Sequence, residues 1–197
     1  MGAELKGFVA GLYNTGEIDF LRTVPVTELT VNLNGIVENK YSGQGRLSDV
    51  RDRELLEDKD FPKKVLVRNW RQWTAVSEEE LAKIATNLSV EKVGAELLGA
   101  NIKFSGIPNL TSLPRGTFLR FPNEAILLVE EENKPCSGPG KEIKKEYEHV
   151  RPGDFYKHAM GLRGLVGVVQ REGIIRIDDV VDVKIYVPKF YSIPPQD

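Results

Sequence analysis

The sequence predicts a mainly β chain with some helix, an α+β protein in one domain spanning residues 1–197. Three observations predict it. Short runs alternate apolar and polar residues at the two-residue period of a strand, and glycines, prolines and one Asn-Gly pair separate them at turn spacing. A complete set of helix-start signals follows Ser77, in the middle of the chain.

Taken in order, Phe8, Val9 and Leu12-Tyr13 mark a first strand, and the alternation from Thr27 to Leu33 marks a second, turned back by Asn34-Gly35. Between Ser48 and Lys64 both charges crowd together without an apolar stripe, so this stretch reads as a solvated helix or loop closed by Pro62. Val65 to Val67 is a strand. Ser77 and Glu80 have capping-box spacing, while Glu78, Glu79 and Glu80 suit the positive end of a helix dipole. Leu81, Ile84 and Ala85 would form that helix's inward face. A second helix is predicted from Val90 to Leu98, stopped by Gly99.

Ile102 and Phe104, then Phe118, Leu119 and Phe121, predict short strands with Gly106 and Pro114 to Gly116 as turns. Ala125 to Val129 reads as a buried strand. Pro135 cannot continue the ladder, so Cys136 should emerge at the sheet's exit into a flexible Ser137 to Gly140. Lys141 to Tyr147 predicts a short charged helix, and Arg151-Pro-Gly-Asp opens another carrying Phe155, His158 and Met160. The tail, residues 188–197, should be extended and frayed.

Composition bounds the function. With 41% hydrophobic and 28% charged residues, the chain can bury a sizeable core, and a net charge of -2 provides no basic field for nucleic acid. Arg68, Trp70, Arg71 and Trp73 interleave cations with aromatics, but without a wider basic patch they make no nucleic-acid surface. No apolar run approaches the roughly twenty residues of a membrane span. A single cysteine cannot close an internal disulfide, and the first residues lack a basic flank and an apolar signal core, so a reducing, cytoplasmic setting is expected. His149 and His158 are the only imidazoles, and neither Cys-x-x-Cys nor His-Glu-x-x-His spacing occurs. Gly161-Leu-Arg-Gly-Leu-Val-Gly has the wrong spacing for a dinucleotide loop and precedes a strand. What remains is thiol chemistry. Lys134 and Lys141 on either side of Cys136 favour its thiolate, the form that acts as nucleophile, metal ligand or sulfur carrier.

Asn101 to Ile107, Leu113 to Leu119 and Pro135-Cys136 together resemble the MOSC family, found as the C-terminal part of molybdenum cofactor sulfurases and as small standalone proteins. The resemblance extends from Thr27 to Val187. It includes Arg71-Gln72 before the acidic helix, and Arg163-Gly164 before a long strand. Two positions depart from the family pattern: Val37-Glu38-Asn39-Lys40 stands where a Gly-Asp and a histidine are usual, and Asp178 replaces a glycine. Glu38, Asn39 and Arg46 are candidates to replace the missing contribution, or it has been lost.

The resemblance implies a β-barrel with attached helices. It implies that the molybdenum cofactor is the ligand, with Arg71, Asn101 and Arg163 in its binding and Cys136 as catalytic thiol or as molybdenum ligand. Pyridoxal phosphate belongs to the desulfurase domain of the larger sulfurases, which this chain has no room for, so a separate cysteine desulfurase or redox partner is expected. Three functions follow: a molybdenum cofactor binder or persulfide carrier serving metal-sulfur cofactor maturation, a molybdenum-dependent reductase of N-hydroxylated compounds fed by another protein, or a non-catalytic barrel with decayed motifs.

Overall fold

The computed structural model describes residues 5–15 and 21–189. The expectations for the first residues and for most of the tail fall outside that range. Among the described residues the chain is mainly β: β1 (Leu5–Thr15), β2 (Thr23–Val26), β3 (Glu28–Asn32), β4 (Gly35–Ile36), β5 (Gly45–Leu47), α1 (Val50–Leu55), β6 (Leu66–Arg68), β7 (Trp73–Ser77), α2 (Glu78–Leu88), β8 (Ile102–Ser105), β9 (Phe118–Arg120), β10 (Ile126–Glu132), α3 (Ser137–Glu146), α4 (Pro152–His158), β11 (Leu165–Arg171), β12 (Gly173–Arg176) and β13 (Val180–Lys184).

Seven strands close on themselves in the order β13-β9-β10-β11-β7-β8-β1, and the β13–β1 pairing completes the barrel. All neighbours are antiparallel except β7 and β8, where Ala75 faces Ile102 and Ser77 faces Phe104 in parallel. A parallel pair needs a crossover, and α2 supplies it. β1 is long enough to serve three partners: Leu5 to Phe8 pair with β13, Phe8 to Leu12 with β8, and Leu12 to Thr15 with β2. Beside the barrel lie a three-stranded sheet β12-β3-β4 and a β5–β6 hairpin that spans α1.

The alternation seen in sequence becomes the inside and outside of this barrel. Val9, Leu12, Trp73, Phe104, Leu119, Leu127, Leu165 and Val183 share one buried cluster. A second cluster joins Leu81, Ile84 and Leu88 of α2 to Ile143 of α3 and Phe155 of α4, so these three helices cover one side of the barrel.

Several local predictions gain detail. Ser77 is the N-cap of α2, accepting from the Glu80 N–H at 3.3 Å. The Glu80 carboxylate is spent on Thr111 instead of closing the capping box, accepting from its backbone N–H at 2.9 Å and its hydroxyl at 2.8 Å. The predicted second helix is a correction: α2 ends at Ser89 in the left-handed region, and only Ala95–Leu98 form a 3₁₀ turn, closed by left-handed Gly99. Gly94 enters that turn in extended conformation, which prevents a continuous helix from Val90. Ser137 to Gly140 is also corrected, from flexible loop to the first turn of α3. Gly140 is the reason this turn packs, since a Cβ there would lie 2.2 Å from the Pro152 carbonyl oxygen where α4 begins. Asp178 keeps the glycine-like turn by adopting φ 67°, a conformation Asp tolerates better than most residues.

Candidate functional site

Cys136 sits where the sequence placed it, between β10 and the helix that follows. It is the N-cap residue of α3, in extended conformation, and its thiol is exposed. Its side chain is not used as a cap hydrogen-bond acceptor. The sulfur lies against α3's first turn, 3.8 Å from the position a Cβ on Gly138 would take.

Arg163 reaches the same place from the turn before β11. That turn is forced: Gly164 has φ 85°, and a Cβ on it would lie 1.9 Å from the Ala75 carbonyl oxygen. Its N–H donates to the Thr111 hydroxyl at 2.8 Å, which in turn is held by Glu80. Arg163 is only 5% exposed. It donates one bond, from Nη2 to the Leu98 carbonyl at 2.6 Å, while its Nε and Nη1 have no hydrogen-bond partner among the described residues. Burial pushes its guanidinium down to about 10, and the neighbouring Cys136 and Tyr41 act in the opposite direction.

Arg71 joins them. Its Nη2 donates to Asn133 Oδ1 at 2.8 Å, and its guanidinium lies 5.0 Å from the Trp70 ring centre. Arg46 also packs on that ring at 5.2 Å, so the indole has two cations against it. Desolvation pushes Arg71 down to about 9, aided by the positive charges of Arg51 and Arg163 and opposed by Glu131. Arg46, Arg51, Arg71 and Arg163 therefore form one cluster, of which Arg51 and Arg163 are within electrostatic reach of Cys136. Two of them have carboxylate partners: Arg46 pairs with the buried Asp52 at 2.5 Å, and Arg51 pairs with Asp49. The Asp49 carboxyl is held down to about 2, chiefly by its hydrogen bonds from the Arg51 side chain. Arg51 is raised, first by Asp49, and it also feels Cys136.

Of the residues singled out in sequence, Cys136, Arg71 and Arg163 are thus brought together. Asn101 is placed differently. It is 3% exposed, its Oδ1 accepts from the Thr74 N–H at 3.0 Å, and its Nδ2 donates to the Tyr13 carbonyl at 3.4 Å, which ties β1 and β7 at the mouth of β8. Among the three candidates for the departed histidine motif, Arg46 is in the arginine cluster. Asn39 is buried and bonds Asn14 and the Tyr41 N–H, while exposed Glu38 takes φ 57° in the turn.

Sequence reasoning missed Arg51 and Asn133. Arg51 is hidden in the mixed-charge stretch from Ser48, where nothing marks one arginine out. Asn133 stands three residues before Cys136 and is 3% exposed. A polar residue that stays buried at the end of a strand, just ahead of a candidate thiol, was the available signal. Among the described residues no group of three or more histidine, cysteine or acidic side chains is gathered for a metal ion, and no helix is long and apolar enough to cross a membrane.

A cationic, partly buried cradle with orphaned donors beside an exposed thiol suits an anionic ligand. The donor set fits the phosphate of a pterin cofactor, because a guanidinium offers N–H groups in a planar fork and has no acceptor of its own. It also suits a thiolate or persulfide.

Comparison with known proteins agrees with this fold. The model of the MOSC domain family matches residues 62–182. The chain is 34% identical over 181 residues to YuaD of Bacillus subtilis (strain 168), covering 91% of each, and the name of that relative provisionally assigns it to metal-sulfur cluster biosynthesis. The crystal structure of YuaD from Bacillus subtilis superimposes with a TM-score of 0.87 at 32% identity, covering 95% of this chain and all of that one (100%). YiiM from Geobacillus stearothermophilus shares the fold at a TM-score of 0.55 and 15% identity, with 90% of this chain and 72% of that chain covered.

Proposed function

The chain belongs to the MOSC domain family, and from that premise we propose that it handles sulfur for metal-sulfur cofactor maturation, carrying it as a persulfide on Cys136 at a site that also binds the molybdenum cofactor. The observation that carries this reading is the buried, partly unpaired guanidinium of Arg163 beside the exposed Cys136 thiol. The relative's name supports the broad class, a role connected with metal and sulfur.

The chemistry of a carrier requires little machinery. A thiolate on Cys136 attacks the terminal sulfur of a persulfide on a separate cysteine desulfurase. The new S–S bond forms on Cys136, the donor's S–S bond breaks, and the donor leaves as its thiolate. Arg51 and Arg163 are two cations within electrostatic reach of Cys136. The cofactor, where bound, would supply a metal centre able to hold sulfur, with Arg71 and Arg163 on its phosphate and Cys136 as the protein's thiolate.

The test uses the single cysteine. Native protein should alkylate with iodoacetamide, and incubation with a desulfurase and cysteine should add one sulfur atom to the intact mass. Cys136→Ser should gain none while keeping its unfolding midpoint. Protein from a cofactor-competent host should retain molybdenum and pterin, and Arg163→Ala should weaken cofactor binding by more than tenfold, the cost of one charge-assisted contact of roughly 1.5 kcal/mol or more. A native thiol inert to alkylation and to persulfide, with no metal retained, eliminates the proposal.

A further inference from the structure

Asn133 has no role in the carrier chemistry above, yet it is built into the same cradle. Its backbone N–H donates to the Gly164 carbonyl at 2.8 Å, which fixes it beside Arg163, and its Oδ1 accepts from Arg71 at 2.8 Å. A guanidinium has only donors, so the amide cannot be turned round: the oxygen must face Arg71 and the NH₂ must face away. That Nδ2 is buried and without a hydrogen-bond partner among the described residues. Only 3% of the residue is exposed, so solvent does not satisfy it.

The other two orphaned buried atoms among the described residues, Glu79 Oε2 and Arg46 Nε, belong to side chains that keep a close partner. The Glu79 carboxylate keeps one oxygen bonded to the Gly106 N–H, and the Arg46 guanidinium keeps its pair with Asp52. Next to Cys136, by contrast, two neighbouring residues contribute three orphaned nitrogens, Arg163 Nε, Arg163 Nη1 and Asn133 Nδ2, and every one of them is a donor. Donors that share a buried site and lack acceptors specify their ligand by what it must not carry. A group bearing its own N–H or O–H donors would leave them unpaired, whereas a fully ionised oxyanion has lone pairs for all three.

We propose that Asn133 is a direct ligand-binding residue which, with Arg163, selects an acceptor-only oxyanion, such as a phosphate monoester dianion or a free tetrahedral oxyanion, beside Cys136. The proposal rests on the reading that Arg163 and Cys136 line one ligand site. It does not require that the ligand be a molybdenum cofactor or that Cys136 carry sulfur. Arg71 also holds the amide, through its Nη2, in the orientation that presents the NH₂.

The probe is methyl phosphate, a monoester dianion that carries no O–H donor near pH 8, titrated into the full chain by calorimetry at that pH, with the iodoacetamide rate at Cys136 as a second readout. Wild-type protein should bind methyl phosphate and alkylate more slowly when saturated. Asn133→Asp keeps an acceptor for Arg71 and the backbone bond to Gly164, so it should fold, but it replaces the donor with a negative charge and should weaken phosphate binding by more than a hundredfold. Asn133→Ala removes the donor without adding charge and should weaken it about tenfold. Wild-type affinity in Asn133→Ala overturns the proposal, even if Asn133→Asp binds poorly, because charge alone would then explain the loss. A crystal grown in methyl phosphate in which the anion contacts Arg163 but not Asn133 Nδ2 also overturns it. Sulfur transfer and cofactor retention are separate measurements, so their failure eliminates the carrier reading and leaves these outcomes interpretable.

Discussion

Replacing Thr111 with valine tests how the barrel holds Arg163 in place. Valine keeps the shape of threonine and removes only the hydroxyl, which is at the centre of a relay: it donates to Glu80 at 2.8 Å and accepts from the Gly164 N–H at 2.8 Å. Thr111 is 7% exposed and Glu80 1% exposed, so water cannot replace either partner. Two groups are stranded at once. Leaving a buried donor or acceptor unpaired costs roughly 1 to 3 kcal/mol, and Glu80 keeps its second bond from the Thr111 N–H at 2.9 Å, so the sum should be about 2 to 5 kcal/mol. For a chain of this size that lowers the thermal midpoint by about 10 °C. Because Gly164 is adjacent to Arg163, methyl phosphate affinity should fall in the same variant. Thermal unfolding followed by circular dichroism, with methyl phosphate calorimetry at a temperature where both proteins are folded, measures both effects. A midpoint within about one degree of wild type would refute the relay as a source of stability. A large drop in midpoint with unchanged phosphate affinity would show that Arg163 keeps its position without it.

Two further outcomes follow from the capping and the charges. Ser77→Ala removes the acceptor for the Glu80 N–H, and should lower stability by about 1 kcal/mol in denaturant, with an unchanged slope. Asp49 is held down to about 2 by Arg51, below its unfolded value, so the pair stabilises the fold above roughly pH 4 and that contribution is lost as the pH falls towards about 2. Asp49→Asn should therefore flatten the acid dependence of the urea midpoint in that window, and parallel curves for the two proteins would contradict the assignment.

The fold was legible because strands announce themselves locally. Ile102 and Phe104, and Leu127 and Val129, are buried at the two-residue period their sequence shows, while Val9 and Leu12, three apart, are both buried because the register of β1 on β8 shifts between Val9 and Gly11. The helix beginning at Glu78 was legible for the same local reason, its cap and its stripe lying within eleven residues. What could not be read was pairing at a distance. Nothing near Glu80 indicates that its carboxylate goes to Thr111 and not back to its own cap, and nothing near Arg51 indicates that a mixed-charge stretch folds over a cysteine eighty-five residues away in sequence. Cys136 was found because proline and glycine mark strand exits. Asn133 was not, because a buried amide that keeps a donor unpaired is indistinguishable in sequence from one that satisfies itself.

The closure of the barrel by β1 and β13 governs when this chain can fold. Leu5 to Phe8 must pair with Val180 to Val183, so the seam joins segments at nearly opposite ends of the chain. A ribosome must emit Val180 to Val183 before the seam can close, and until then β9 and the first half of β1 each show an open row of backbone donors and acceptors. Closure of the barrel thus waits for its last strand and is slow by topology. The half-made barrel is the species a chaperone would meet, and any truncation before Val180 should leave it permanently in that adhesive state.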